Sequence, residues 1–195
     1  MKNVSIRRLM LLGSYLAVTG LGVSLLQAED TGFVRARGKP GDAGVFINGK
    51  YAGPATRFTV PEKYVSPTGD VEVTIKDPRY EDYTTKVTVS SGKTTKLKYS
   101  LKAMESAKPP FGRFRLGGGE AESYLSISSG DVGAVYLNDR FYGYVDELNN
   151  KGAGILLNPG TYDLHISSPI FGEIRQKLTI EANKVTIVPL PKKQS

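Results

Sequence analysis

Two stretches of the chain, about ninety residues apart, share one order of hydrophobic, aromatic and polar residues. The first covers residues 44–53 and the second covers residues 134–143. Each reads small, aliphatic, aromatic, aliphatic, Asn, turn residue, base, aromatic, any residue, Gly. Because self-similarity at a fixed spacing marks a repeated structural unit, the pattern predicts two copies of one small domain.

Alternation of apolar and polar residues predicts the strands around these stretches, because successive side chains of a strand point to opposite faces. A first strand is expected at 33–37 in one copy and at 124–128 in the other. A central strand is expected at 71–76 and again at 161–166. The residues expected on the buried face of the two central strands are Val71, Val73, Ile75, Tyr162, Leu164 and Ile166.

Turn residues complete the prediction of fold class. Asn48-Gly49 is the dipeptide typical of a type I′ hairpin, in which both central residues need positive φ, and Asn138-Asp139 takes its place in the second copy. Each copy holds about seven short strands with turn signals every eight to twelve residues. The spacing predicts an all-β protein of two tandem small antiparallel β-sandwich domains after an N-terminal signal helix.

The predicted domains follow the changes in composition. Residues 1–28 combine a basic start, an uncharged apolar run and a small residue at the end, which is the order of a cleaved signal peptide, although an uncleaved anchor has similar features. Residues 29–102 form the first repeat and residues 123–191 the second. Residues 103–122 form a Pro- and Gly-rich linker, whose middle either stays exposed or docks as a strand on one repeat.

Charge and composition exclude several classes of site. The chain has no Cys and one His, which excludes disulfides, thiolate chemistry and a zinc site of the usual donors. Of the net charge of +7, the first repeat contributes 13 basic and 9 acidic residues. These bases are interpreted either as the solvated face of a strand or as an anion site. No patch combines clustered bases with interleaved aromatics, so no nucleic acid partner is predicted.

The hairpin at 45–53 and the segment at 158–166, with its Pro-Gly turn entering a strand, resemble the PEGA domain, a small β-sandwich module of exported bacterial proteins. The resemblance covers nearly all of the chain after the leader except the linker. It departs from the family pattern at an insertion around residues 62–66 and at Asp139, which stands in place of the hairpin Gly. The resemblance implies a binding or structural module without enzymatic activity, proposed to serve envelope or surface attachment.

Catalytic chemistry has weak support in the sequence. His165 falls on the strand face opposite the core, next to Asp163, and no serine motif accompanies it as a triad would require. The acids do not form a pair selected by spacing, although a glycosidase needs only two. No calcium-binding loop motif is present. On these grounds no catalytic residue, metal or cofactor is predicted. The acids considered were Asp131, Asp146, Glu147 and Glu173.

A ligand-binding site is predicted where aromatic residues alternate beside acids and amides. Aromatic faces stack on sugar rings while polar groups bond the hydroxyls, so this composition suits a glycan. The alternative is that the aromatics pack over the core as ordinary strand residues. The predicted ligand-binding residues are Tyr51, Phe141, Tyr142, Tyr144, Asp146 and Asn149.

These observations lead to one main hypothesis and two alternatives. The main hypothesis is a non-catalytic, exported binding or scaffolding module at the cell envelope, periplasmic or on the surface, that binds peptidoglycan or another polysaccharide. The first alternative is an adaptor that pairs with an envelope protein through an exposed edge strand. The second is a carbohydrate-active enzyme. Contact with a membrane is expected only through the N-terminal segment, if that segment is not cleaved.

Overall fold

The computed structural model describes residues 30–58, 63–117, 132–148 and 154–191. Three predictions lie outside these residues: the leader at 1–28, the strand at 124–128 and the ligand-binding residue Asn149. Within the described ranges, no helix reaches the length and apolar character that a membrane span requires.

The first unit has seven strands in its described residues, arranged as two sheets. Its elements are β1 (Thr31–Lys39), β2 (Gly44–Ile47), β3 (Lys50–Pro54), a 3-10 turn (Ala55–Phe58), β4 (Tyr64–Pro67), β5 (Gly69–Lys76), β6 (Tyr83–Val89) and β7 (Thr94–Ser100). One sheet has the order β3-β2-β5-β6, and the other has the order β4-β1-β7.

The second unit repeats this arrangement element by element. Its elements are β8 (Gly112–Gly117), β9 (Ala134–Leu137), β10 (Arg140–Tyr144), the single helical turn α1 (Val145–Leu148), β11 (Ile155–Leu157), β12 (Gly160–Ser168), β13 (Gly172–Ile180) and β14 (Val185–Pro189). Its sheets have the orders β10-β9-β12-β13 and β11-β8-β14, which match those of the first unit.

Each unit buries one hydrophobic core between its two sheets, so the predicted all-β fold of two units is confirmed. The predicted alternation of the central strands is also confirmed. Val73 and Ile75 of β5 are fully buried, as is Ile166 of β12. Tyr162 packs against the second core while remaining partly exposed, because its hydroxyl donates to the backbone oxygen of Asn158 at 2.9 Å.

The sandwiches are not purely antiparallel, which corrects that part of the prediction. β1 pairs with β7 in parallel, and β8 pairs with β14 in parallel. The two strands of each pair are the first and last of their unit. The chain between them passes through the opposite sheet, and such a long crossover is what a parallel pair requires. Local sequence patterns report the strands themselves but not the direction in which distant strands pair.

The middle of the predicted linker is docked rather than exposed. Gly112–Gly117 forms β8, which pairs with β11 on one side and β14 on the other. A Cβ atom at Gly112 would lie 2.3 Å from the backbone oxygen of Glu181, and one at Gly32 would lie 2.3 Å from that of Ser90. Both first strands therefore carry a glycine within their first two residues, because backbone from the last turn of the unit passes directly against them. The domain bounds 29–102 and 123–191 stay predictions.

The two Asn-led hairpins have the predicted turn geometry. Asn48 and Gly49 have φ of 48° and 76°, and Asn138 and Asp139 have φ of 49° and 61°. Each Asn also uses its side chain. Oδ1 of Asn48 accepts from the amide of Glu72 at 2.9 Å, and Oδ1 of Asn138 accepts from the amide of Asp163 at 2.8 Å. The Asn of the repeated motif therefore fastens the hairpin tip to the central strand.

Replacing Asn138 should separate these two contributions. Asn138→Gly keeps the positive φ but loses the hydrogen bond to Asp163, so we expect the free energy of unfolding to fall by about 1 kcal/mol. Asn138→Ala also lacks the short polar side chain that lets asparagine tolerate the left-handed region, which adds about 1 kcal/mol or more. Urea denaturation of both variants measures the difference. Equal stabilities of the two variants would contradict this account of the turn.

Two short strands were not predicted. β4 lies in the segment interpreted as an insertion, yet it pairs antiparallel with β1 and is the counterpart of β11. The hydroxyl of Tyr64 in β4 donates to the backbone oxygen of Gly53 at 3.0 Å, which fixes the strand to the end of β3. Strands of three or four residues are too short for an alternating pattern to identify.

Candidate functional site

The joint between the two units is built from aromatic side chains of their equivalent hairpins. We call Phe46, Tyr51, Tyr136, Phe141 and Tyr144 the aromatic joint. The ring centroid of Phe141 lies 4.9 Å from that of Tyr51, 5.3 Å from Tyr144 and 5.7 Å from Tyr136. Phe46 completes the joint at 6.1 Å from Phe141. The rings meet edge to face, the arrangement that their quadrupoles favour.

A hydrogen bond across the units supports the aromatic joint. The hydroxyl of Tyr51 in the first unit donates to Oε2 of Glu147 in the second at 2.9 Å, and the same oxygen accepts from the amide of Tyr144 at 3.1 Å. Burial raises the pKa of Tyr51 far above its usual range, and the neighbouring charge of Glu147 raises it further. Tyr51 is therefore a fixed donor to Glu147 and stays protonated.

Gly143 makes room for this hydrogen bond. β9 and β10 shift register between Phe141 and Gly143, which leaves Tyr142 in a bulge. Gly143 has φ of 139°, and a Cβ atom there would lie 2.9 Å from Oε2 of Glu147. Glycine at the end of the repeated motif thus lets Glu147 fold back against the strand.

An ion pair also joins the units at the edge of the aromatic joint. Nη2 of Arg140 donates to both carboxylate oxygens of Asp82, at 3.0 and 3.2 Å. Nζ of Lys76 lies 3.6 Å from the same carboxylate. These side chains are about one third to one half exposed, so the ion pair contributes little to stability and mainly fixes the orientation of the two units.

A cleft of about 400 Å³ opens beside the aromatic joint, between the two units. Tyr51 and Tyr142 contribute aromatic surface to its lining, and Asp42, Arg113 and Glu147 contribute charged groups. Burial raises the pKa of Tyr142, an effect that the nearby charge of Arg140 opposes. The cleft combines ring faces with both acceptors and donors, which are the groups that hold sugar rings and their hydroxyls.

The structure thus separates the predicted ligand-binding residues. Tyr51, Phe141 and Tyr144 come together in the aromatic joint, and Tyr51 also reaches the cleft. Tyr142 lines the cleft while packing partly against the second core. Asp146 lies in α1, where its Oδ1 is buried and has no hydrogen-bond partner within the part of the chain that the structure describes.

Sequence reasoning missed several residues of the joint and the cleft. Phe46 and Tyr136 occupy the same position in the two hairpins, and each points away from its own core. An aromatic residue on the outward face of a short strand, repeated in both copies, was the signal that could have identified a contact between units. Asp42 and Arg113 come from a loop and from the supposed linker, where no local pattern marks them.

Two of the residues considered for catalysis, His165 and Glu173, form an ordinary surface pair. The Nε2 of His165 lies 2.5 Å from Oε2 of Glu173, while Ser167 donates to the other oxygen of Glu173 at 2.6 Å. The carboxylate therefore stands between the serine and the histidine, whereas a triad needs the histidine in that position. The hydrogen bonds from Ser167 and His165 lower the pKa of Glu173. His165 also stacks on Tyr136 at 5.3 Å.

Acidic residues in the loops of the first unit are bound to basic side chains. Asp77 is held by Arg79, and Glu81 accepts from Nζ of Lys102 at 2.7 Å. Within the described ranges, no three acidic or histidine side chains come together as a metal site.

The fold defines an all-β protein of two tandem sandwich units joined through aromatic hairpins. Residues 31–105 match the model of the PEGA domain, so the predicted resemblance is confirmed over the first unit. That the second unit is another member stays a prediction, although its strand order is the same. PEGA domains are a non-enzymatic family that occurs in exported proteins.

Two solved structures are similar to this chain at low identity. The Bacillus anthracis TIE protein is 16% identical, with a TM-score of 0.26; the match covers 84% of this chain and 34% of that one. The Streptococcal ancillary pilin is 12% identical, with a TM-score of 0.26 and coverage of 86% and 63%. The chain therefore spans about a third of the first structure and under two thirds of the second. No curated protein sequence matches the chain.

Proposed function

We propose that the protein is a non-catalytic, exported binding and scaffolding module of the cell envelope, and that its ligand is peptidoglycan or another surface polysaccharide. The observation that supports this proposal is the cleft between the units. Tyr51 and Tyr142 offer ring surface there, and Asp42, Arg113 and Glu147 offer hydrogen-bonding groups of both kinds. Sugars are recognised by this combination of stacking and directed polar contacts.

The aromatic joint gives the cleft a fixed shape in this proposal. The cleft is formed by two units, so its walls keep their spacing only while the units stay together. The hydrogen bond from Tyr51 to Glu147 joins one residue of each wall at 2.9 Å. A preformed site binds without the cost of ordering its walls, which raises affinity for a given set of contacts.

Co-sedimentation with insoluble peptidoglycan and with cell-wall polysaccharide tests the proposal. We expect Tyr142→Ala to weaken binding by about fivefold, since a lost ring contact is worth roughly 1 kcal/mol. Tyr83→Ala is the matched control, because Tyr83 is also partly buried against a core but lies on β6, outside the cleft. The circular dichroism spectra of both variants must match that of the wild type, which shows that they are folded.

Three outcomes of this experiment are decisive. Loss of binding in Tyr142→Ala alone supports the cleft as the glycan site. Equal loss in both tyrosine variants would trace binding to general stability instead, and the cleft would be abandoned. Absence of wild-type binding to either polymer would overturn the polysaccharide as ligand.

A second candidate function is a protein adaptor, and β14 is the observation that favours it. β14 is an edge strand that pairs only with β8 in the described structure, and Val185 and Ile187 on it are 54% and 57% exposed. Its counterpart β7 carries Lys96 and Lys98, charges that block pairing with another chain. Ile187→Lys should abolish capture of a strand-donating envelope protein and leave polysaccharide binding unchanged if the adaptor function holds.

A further inference from the structure

Five basic side chains share one surface of the first unit. We call Arg35, Arg37 and Lys39 of β1 together with Lys96 and Lys98 of β7 the basic face. They alternate with the buried residues of their strands, so all five point away from the core. Residues two apart on a strand are about 6.6 Å apart and neighbouring strands about 4.8 Å, so the cations form a grid with these spacings.

The register of β1 and β7 places like charges opposite each other. Arg35 is paired with Lys96, and Arg37 is paired with Lys98. Directly opposed like charges destabilise a sheet. Within the described ranges, no carboxylate forms an ion pair with any member of the basic face, although Lys76, Arg79 and Lys102 of the first unit do have such partners. Repulsion among the bases of this face therefore destabilises the sheet, and an acidic group bound beside them would remove that repulsion.

The second unit shows that the fold does not require the two lysines of β7, although Arg115 of β8 keeps the place of Arg35. Gly32 and Gly112 are equivalent, so the register of β8 and β14 assigns Ile187 and Pro189 to the places of Lys96 and Lys98. Protection of an edge strand explains lysines on β7. It does not explain Arg35 and Arg37, because β1 is the central strand of its sheet.

The basic face also has the shape of a binding groove. A concave space of about 630 Å³ is lined by its five bases together with Leu97 and Tyr99. The Nε of Arg35 is buried there and has no hydrogen-bond partner in the described structure. A buried donor without a partner is unfavourable, and an anionic oxygen seated in the groove would satisfy it.

We infer that the basic face binds a linear acidic polysaccharide, a glycan chain that carries carboxylates or phosphates. Charge complementarity and the two rows of cations favour an extended polyanion. Single-stranded nucleic acid would need exposed rings for its bases. Tyr99 is buried with its hydroxyl on the backbone oxygen of Pro40, and Phe33 beside the groove is covered by Nζ of Lys63 at 4.7 Å. A concave groove admits a narrow chain, whereas a bilayer is flat.

The decisive variant reverses the charges on β7. Lys96→Glu with Lys98→Glu should weaken binding of polygalacturonate to the purified chain by about tenfold or more at low salt, because like charges now face the polymer. The same variant turns both opposed pairs into ion pairs with Arg35 and Arg37, so its unfolding midpoint in urea should rise. Lys50→Glu with Lys108→Glu is the control, with the same change in net charge at exposed positions elsewhere.

Polygalacturonate, a neutral dextran, phosphatidylglycerol vesicles and poly-dT are the probes. Loss of polygalacturonate binding in the β7 variant, with the control variant unchanged, supports the inference. Equal loss in both variants would show that binding depends on net charge alone, which would overturn the inference. Stronger binding to vesicles or poly-dT than to polygalacturonate would also overturn it. Because the basic face is separate from the cleft, Tyr142→Ala should leave this binding intact even if the proposed cleft function fails.

Discussion

Replacing Asp77 by Asn should lower the free energy of unfolding by about 3 to 5 kcal/mol, the usual effect of leaving a buried charge without its partner. Asp77 and Arg79 are 4% and 5% exposed. Nη2 and Nε of Arg79 donate to the two oxygens of Asp77 at 2.7 and 3.0 Å. With an amide in place of the carboxylate, the guanidinium stays buried, and among the described residues it keeps only Asp42, at 3.5 Å, as a counter-charge.

The surroundings of Arg79 prevent it from escaping into water. Its guanidinium lies 5.3 Å from the ring centroids of both Tyr80 and Phe111, and Phe111 immediately precedes β8. Burial acts to lower the pKa of Arg79, but the hydrogen bond and charge of Asp77 outweigh it and raise the pKa. The ion pair therefore connects the turn after β5 to the segment that leads into the second unit.

The second unit contains the same turn without charges and supplies the matched control. Ser168 and Ile170 stand in the places of Asp77 and Arg79, and Oγ of Ser168 accepts from the amide of Ile170 at 3.1 Å. Oδ1 of Asp77 accepts from the amide of Arg79 at 2.9 Å in the same way. The double variant Asp77→Ser with Arg79→Ile should therefore be more stable than Asp77→Asn alone, because it leaves no charge buried.

Urea denaturation followed by circular dichroism measures all three proteins. An Asp77→Asn variant within 1 kcal/mol of the wild type would show that water reaches Arg79 and would refute the buried pair. A double variant less stable than Asp77→Asn would show instead that removing both charges costs more than leaving Arg79 unpaired. The ion pair would then stabilise the fold more than uncharged residues do.

The parts of the fold that the sequence predicts are those determined by local chemistry. Alternation of apolar and polar residues reports which face of a strand is buried, as at Val73 and Ile166. The Asn-led turns need positive φ, a requirement that few residue types meet, so the two hairpins were predictable from a dipeptide each. Internal repetition then gives the number of units before any contact is known.

The parts that the sequence did not predict depend on distant contacts. β8 carries alternating residues between a Pro pair and a Gly run, and it becomes part of a sheet through β11 and β14, which follow some forty and seventy residues later. The choice between an exposed linker and a docked strand is therefore a property of tertiary structure. The same holds for β4, whose four residues become a strand because β1 presents a free edge to them.

The candidate site was predicted in composition but not in arrangement. Alternating aromatics in β10 identified Phe141, Tyr142 and Tyr144, but two of them belong to the aromatic joint and one faces the cleft. The bulge ending at Gly143 changes the side to which residues point, so simple alternation fails there. Composition identifies surface that is available for contact, while the fold decides which contact is made.

The aromatic joint has the character of a symmetric interface within one chain. Tyr51 and Phe141 are equivalent residues of the two hairpins, and they contact each other directly. Contact between equivalent residues is the mark of a two-fold interface between identical subunits. β3 and β10, the corresponding edge strands, lie against each other at the same joint, which covers one edge of each unit. The tandem repeat thus resembles a dimer whose two halves are joined by the segment between β7 and β8.

Phe141→Ala should therefore uncouple the units as well as weaken them. Phe141 contacts each of the four other rings of the aromatic joint. We expect a loss of about 3 kcal/mol, at the lower end of the range for a core phenylalanine because this ring is only partly buried. With the joint weakened, the ion pair of Arg140 and Asp82 is too exposed to hold the units together alone.

Scanning calorimetry measures the coupling directly. We expect the wild type to unfold in one transition and Phe141→Ala to unfold in two, since independent units lose cooperativity. Phe33→Ala is the matched control: Phe33 is also a partly buried strand phenylalanine, but it lies on β1 away from the joint. A single transition in Phe141→Ala would contradict the aromatic joint as the source of coupling, and two transitions in Phe33→Ala would assign the coupling to stability of the first unit instead.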